Sequence, residues 1–240
     1  MNISPELSVG EVVKQNFKTA SLFQQNNIDY CCGGNKPISE ACTEAGVDQH
    51  HLISQLETIV ESNDPDSAYI DSLALDELAG YIEKRHHSYV RRSIPFLQAS
   101  LDKICEVHGK NHPELFKIRD LFNESAGNLT MHLQKEELVL FPYIKKLAEA
   151  PAQGDSLQTP GFGAVSNPIR MMLEEHEAEG SRFEKIAELS ENYKIPEDGC
   201  TTYKVTMENL KEFEDDLHRH IHLENNILFP KAIELEKEMN

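Results

Sequence analysis

His132-Leu-Gln-Lys-Glu136-Glu-Leu-Val-Leu-Phe-Pro142 and His220-Ile-His-Leu-Glu224-Asn-Asn-Ile-Leu-Phe-Pro230 align without a gap, and the histidine, the glutamate and the Leu-Phe-Pro ending all coincide. The His-x-x-x-Glu spacing alone carries little weight, because 11 histidines among 41 acidic residues produce such pairs by chance. The shared context is what marks a repeat. Upstream of each segment stands another histidine, His87 at 45 positions and His176 at 44. The region is therefore an internal duplication of a helix pair.

Stepping outward by alternating threes and fours recovers four amphipathic stripes. The first runs through His87, Val90, Ile94, Leu97, Leu101 and Ile104. The second takes Leu115, Ile118, Phe122, Ser125, Leu129, His132, Glu136, Val139 and Tyr143. A broader third stripe holds Ile169, Met172, Leu173, His176, Phe183 and Ile186, and the fourth holds Tyr203, Met207, Leu210, Phe213, Leu217, His220, Glu224 and Ile227. No alternating strand pattern competes. Short connections, Gly109 to Pro113 and Ile195 to Gly199, join the members of each pair, and a longer Pro- and Gly-bearing one, Ala150 to Pro168, joins the pairs. The expected fold is all-α, an antiparallel four-helix bundle.

Ahead of it the chain reads as a small helical domain over residues 1–62, with Ser8, Thr19 and Asp48 as candidate helix caps. Ser62-Asn63-Asp64-Pro65-Asp66-Ser67 is made of turn formers, which places a linker at residues 63–75 and the bundle at 76–240.

Polar residues on an apolar seam need partners or a metal, since burial without them costs several kcal/mol on the order given for polar groups. The residues concerned are His87, His132, Glu136, His176, His220 and Glu224. Each half offers one histidine from its first helix, and a histidine and a glutamate one turn apart from its second. Folding about a pseudo-twofold axis gathers four imidazoles and two carboxylates. Nitrogen and oxygen donors without thiolate suit iron or manganese, with zinc an alternative, and six ligands exceed the needs of one tetrahedral ion. Two metals bridged by the two glutamates, with open positions for a small ligand, fit better. Only His87 of the His86-His87 pair continues its stripe, and only His220 among His218, His220 and His222 precedes a glutamate by four. His108 and His112 read as solvated loop histidines.

Composition excludes several classes. With 39% hydrophobic and 27% charged residues over 240 positions the chain reads as globular, and no apolar run approaches a membrane span. A net charge of −18 argues against nucleic acid. The first residues resemble no secretory signal, so a cytoplasmic protein is expected. Five cysteines form no disulfide framework, and Cys42, Cys105 and Cys200 receive no role. Cys31 and Cys32 are different: adjacent thiols followed by Gly33-Gly34 suggest accessible, adaptable groups for transient iron binding or thiol redox chemistry, and adjacent Cα atoms about 3.8 Å apart disfavour a mutual disulfide.

The bundle resembles the hemerythrin-like di-iron domain, and the whole chain is similar to the iron–sulfur cluster repair di-iron proteins, the repair-of-iron-centres family. Carrying the likeness are Ile28-Asp29-Tyr30-Cys31-Cys32-Gly33-Gly34, His86-His87-x-Tyr89-x-Arg91, Glu174-Glu175-His176 and the two segments quoted first. The resemblance implies an oxo-bridged pair of non-haem irons, with manganese or zinc less favoured, and a role in repairing iron–sulfur clusters damaged by nitrosative or oxidative stress, with iron as the supply. It makes Cys31 and Cys32 a functional element. Implied partners are damaged or apo iron–sulfur proteins or a cluster-assembly scaffold, together with small diatomic ligands; neither nucleic acid nor membrane is expected, and a homodimer through the N-terminal domain stays open. Oxygen-carrying hemerythrins use five histidines where four are placed here, which argues against reversible oxygen carriage. Two further readings remain: an enzyme reducing nitric oxide at the same site, and an oxygen or nitric oxide sensor or binding protein.

Overall fold

Helices build the whole regular structure of the computed structural model, which describes residues 3–153 and 160–239; among these no strand forms, only an isolated bridge between Ser8 and Pro37. Helix α1 (Val9–Gln15) opens with a capping box in which the Ser8 hydroxyl accepts from the Glu11 N–H and the Glu11 carboxylate accepts from the Ser8 N–H. Thr19, expected as a cap, is instead the first residue of α2 (Thr19–Gln25), its hydroxyl donating to the Asn16 carbonyl at 2.7 Å. Helices α3 (Ile38–Ala45) and α4 (Gln49–Val60) follow, the latter capped by Asp48 as expected.

The expected linker is structured. Pro65 takes the first position of α5 (Pro65–Ser72), where its missing N–H costs nothing, and the Phe17 N–H donates to Asp64 at 3.1 Å and Ser67 at 2.9 Å. Turn formers there start a helix. Then come α6 (Leu75–Ile82), α7 (Ser88–His108), α8 (Glu114–Lys135), α9 (Phe141–Gln153), α10 (Ser166–Leu189), α11 (Thr201–Leu223) and α12 (Phe229–Met239). Three π-helical segments, Glu83–His87, Glu136–Leu140 and Glu224–Leu228, join α6 to α7, α8 to α9 and α11 to α12. In the long connection expected from Ala150 to Pro168, residues 154–159 lie outside the described residues. No described helix is long and apolar enough to cross a membrane.

Two compact units emerge, Gly80–Tyr143 with Asn167–His220, and Met1–Ala79 with Ile144–Ser166 and Ile221–Asn240. The chain after Tyr143 and after His220 clusters with N-terminal residues. Within the first unit, α7, α8, α10 and α11 form the expected antiparallel bundle. Contacts between α7 and α8 pair Gln98 with Asn123 and Asp102 with Arg119, so numbers rise on one helix as they fall on the other. Phe213 on α11 packs its ring against Tyr89, Phe122 and Phe183, one from each other helix, at centroid distances of 6.1, 5.4 and 5.6 Å. That shared aromatic core sets the spacing of all four helices.

Burial follows the expected stripes with two corrections. Val139 is 47% exposed, while Leu140, Phe141 and Ile144 are buried in its place. The π segment after Lys135 inserts an extra residue into the turn and moves the apolar face on by about one position. Leu173 on α10 is 39% exposed and lies outside the buried stripe.

At the loop end of the bundle His112, expected to be solvated, bridges Asp198 at 2.9 Å and Glu114 at 3.0 Å. The Asp198 hydrogen bond leads in raising its pKa above the ordinary imidazole value. A raised folded-state pKa stabilises fully below the unfolded value and ceases to do so as pH rises through the folded one. The melting-temperature gap between wild type and Asp198→Asn should therefore be widest near pH 6 and close toward pH 9; a gap that widens with pH contradicts the pairing.

Candidate metal centre

Each bundle helix delivers one imidazole to the same level of the core. His87, at the end of the first π segment, and His132, His176 and His220 are all at most 3% exposed, and Glu136 is fully buried. His132 and Glu136 are one turn apart on one helix, so both side chains face the same way. The Glu136 Oε2 atom lies 3.4 Å from His87 Nε2 and 3.4 Å from His132 Nε2, and His132 Nε2 lies 3.1 Å from His176 Nε2. Nitrogens each about 2.1 Å from one ion and at right angles to each other stand roughly 3 Å apart. The spacing suits two imidazoles on a shared ion.

The donors fall into two sets, His87 with His220 and His132 with His176, and within each set the ligand atoms lie within 4.8 Å of one another and of Glu136. Glu224, fully buried and one turn past His220 on the same continuous helix, belongs to both sets. Each set thus takes one histidine from each half of the duplication, and the two sets share both carboxylates. The structure brings together all six residues singled out from the sequence.

Carboxylates behind the imidazoles orient them. Glu137 accepts from His87 Nδ1 at 2.7 Å and is itself held by Arg91 at 2.7 Å. Glu175 accepts from His132 Nδ1 at 2.8 Å and is paired with Lys135. The His132 hydrogen bond, more than Lys135 and against the opposing effect of burial, pulls Glu175 down to about 2. Burial works against ionisation of Glu137 too, yet Arg91 and His87 hold it below the usual carboxylate range. An ionised acceptor at Nδ1 keeps the proton on that nitrogen and turns Nε2 toward the centre as a lone-pair donor. His86 is also buried; its Nδ1 meets Asp216 at 3.1 Å and its ring stacks on His220 at 5.6 Å.

Residues 80–232 match the hemerythrin HHE cation-binding domain, and residues 6–60 match a domain of unknown function, DUF542. Among relatives, the iron–sulfur cluster repair protein ScdA of Staphylococcus haemolyticus is 30% identical over 229 residues, covering 95% of this chain and 99% of the relative. The iron–sulfur cluster repair protein YtfE of Yersinia pseudotuberculosis is 31% identical over 217 residues, covering 90% and 91%. The chain belongs to the iron–sulfur cluster repair family.

The vicinal cysteine turn is organised by Asp29, whose carboxylate accepts from the backbone N–H groups of Cys31, Cys32 and Gly33 at 2.9, 3.0 and 2.8 Å. Against the expectation that both thiols are accessible, Cys31 is 4% exposed and only Cys32 reaches solvent. The sulfurs stand 3.9 Å apart with no disulfide. The neighbouring Cys32 sulfur, and then burial, keep the Cys31 thiol well above its ordinary range. Cys42 and Cys105 are buried, whereas Cys200 is exposed, with its thiol lowered to about 7 by His108.

Sequence reasoning passed over the roles of Glu137, Glu175, Arg91 and Lys135. The available signal was their place beside ligand candidates, Glu137 next to Glu136 and Glu175 next to His176. Since supporting carboxylates are worth about 10–100-fold in metal affinity, Glu175→Ala should weaken iron binding by that order in competition with a chromophoric chelator. Glu177→Ala, on the exposed face of the same helix, should leave it unchanged; equal effects from the two would refute the orienting role.

Proposed function

We propose that His87, His132, Glu136, His176, His220 and Glu224 would hold two iron ions, and that the protein supplies iron to iron–sulfur clusters damaged by nitrosative or oxidative stress. The observation carrying this reading is the division of four imidazoles into two pairs around two shared carboxylates. Such a set leaves coordination positions open, as a closed structural site would not, and contains no thiolate to favour zinc. When bound, iron supplies Lewis acidity and one-electron chemistry toward small diatomic ligands. Glu137 and Glu175 keep His87 and His132 in the tautomer that donates through Nε2, and the buried core around the centre excludes bulk water.

In this reading damaged or apo iron–sulfur proteins, or a cluster-assembly scaffold, are the acceptors. Cys31 and Cys32 assist the transfer, since a thiolate is a better ligand than a hydroxyl for a metal in transit. The setting is cytoplasmic, where thiols stay reduced.

Metal analysis with Mössbauer spectroscopy of the aerobically purified chain should find near two irons per chain with oxo-bridged di-ferric features; one zinc per chain and no visible absorption would defeat the assignment. Glu136→Ala should impair the centre. Replacing Cys31 and Cys32 together by serine should leave the spectrum intact and slow iron transfer to an apo-cluster acceptor. Wild-type transfer in that variant removes the cysteines from the mechanism. Sustained nitrous oxide production without iron loss would replace repair by nitric oxide reduction.

A further inference from the structure

The two copies of the repeat agree at histidine, glutamate and Leu-Phe-Pro but differ immediately after the glutamate, where Glu137-Leu138 in one half stands against Asn225-Asn226 in the other. In the first half Glu137 orients His87, and Leu138 is 76% exposed. In the second half both asparagines turn to the cysteine loop. Asn225 Nδ2 donates to the Cys31 carbonyl at 3.3 Å, and Asn226 Nδ2 to the carbonyls of Tyr30 and Cys31, each at 3.2 Å. His222, one turn before Asn226, is buried, packs its ring against Phe17 and Tyr30, and lies 3.1 Å from Asn226 Nδ2 through its Nδ1.

The socket for this amide is made by two glycines. A Cβ on Gly10 would come within 2.7 Å of the Asn226 side chain, and one on Gly34 within 2.6 Å, so neither position accepts a larger residue while Asn226 is seated. Gly10 N–H donates to the Gly34 carbonyl at 2.7 Å, closing the socket. Because Asp29 ties the N–H groups of Cys31, Cys32 and Gly33 to one carboxylate, the turn moves as a unit, and whatever holds the Cys31 carbonyl holds both thiols.

Asn225 and Asn226 lie inside the π segment Glu224–Leu228, whose first residue is a proposed metal ligand. A π turn carries one residue more than an α turn. Because the two asparagines directly follow Glu224, a displacement of the Glu224 backbone carries both amides with it and lengthens their hydrogen bonds to the Cys31 carbonyl. Ligation at Glu224 would hold that backbone in place.

We propose that Asn226 is a positioning residue that clamps the Cys31–Cys32 turn to the π segment opened by Glu224, so that metal held at Glu224 controls the exposure of the thiols. The proposal rests on the reading of Glu224 as a ligand. Loss of metal loosens the clamp and presents the thiols when iron has been given up, which links the state of the centre to the state of the cysteines.

The test is the rate of Cys32 alkylation by iodoacetamide in the full-length chain, read by peptide mass spectrometry, with iron loaded or stripped by chelator and metal content measured in parallel. Wild type should label several-fold faster when stripped. Asn226→Ala should bind iron as wild type does and label fast in both states. The near-isosteric Asn226→Asp, which lacks the two donors, should behave likewise. Leu138→Ala, at the matching position of the other half, should keep the wild-type ratio. Equal wild-type rates with and without bound iron overturn the proposal, and so does a wild-type ratio in Asn226→Ala. If the chain takes up no metal, the ligand reading fails by itself, and control of the thiols by metal at Glu224 fails with it.

Discussion

The hydrogen bond from a buried imidazole Nδ1 to an ionised glutamate is the interaction on which the bundle depends. Four histidines and two glutamates at the centre of an apolar core are costly unless they are hydrogen-bonded, paired or ligated. Glu137 and Glu175 meet that need for His87 and His132; the imidazole itself, together with a cation nearer the surface, Arg91 or Lys135, holds each carboxylate below its usual range. The polar centre is therefore connected outward by short ion-pair chains. Core packing around Phe213 fixes where the four helices stand, and the carboxylates fix how the ligands on them point.

The π turns place the donors within that frame. Glu136 and Glu224 each begin such a segment, and His87 ends one. Pro142 and Pro230 follow two of them, and a proline inside a helix lacks an N–H and crowds the carbonyl four residues back, so a widened turn just before it relieves both defects. The Leu-Phe-Pro ending and the glutamate belong to one device. The third helix, α10, carries His176 without any π segment, so the halves are related in ligands but not fully in backbone.

The duplication makes specialisation visible. Where the halves agree they supply the centre; where they diverge, at Glu137-Leu138 and Asn225-Asn226, one copy supports an imidazole and the other grips the backbone of the cysteine turn. The Gly-Gly following Cys31-Cys32 acquires a reason from the same contact. Gly34 is a close-approach residue for an amide nearly two hundred positions away in sequence.

Periodicity and duplication were enough to read four helices, their antiparallel order and the six buried polar residues the structure gathers at the centre, because these are properties of spacing along single helices repeated twice. The capping residues Ser8 and Asp48 were legible for the same local reason. Three things required the tertiary structure. Val139 points outward and Leu140 inward because a π turn adds a residue that a fixed step of three and four does not anticipate. Asp64 and Pro65 start a helix instead of a linker because the Phe17 backbone supplies a distant partner. Cys31 is buried and Asn226 engaged because hydrogen bonds between segments far apart in the chain leave no periodic trace in either one. Local geometry is encoded where each residue's neighbours in sequence are its neighbours in space; pairing across the chain is decided only when the folded helices bring unrelated stretches within hydrogen-bonding distance.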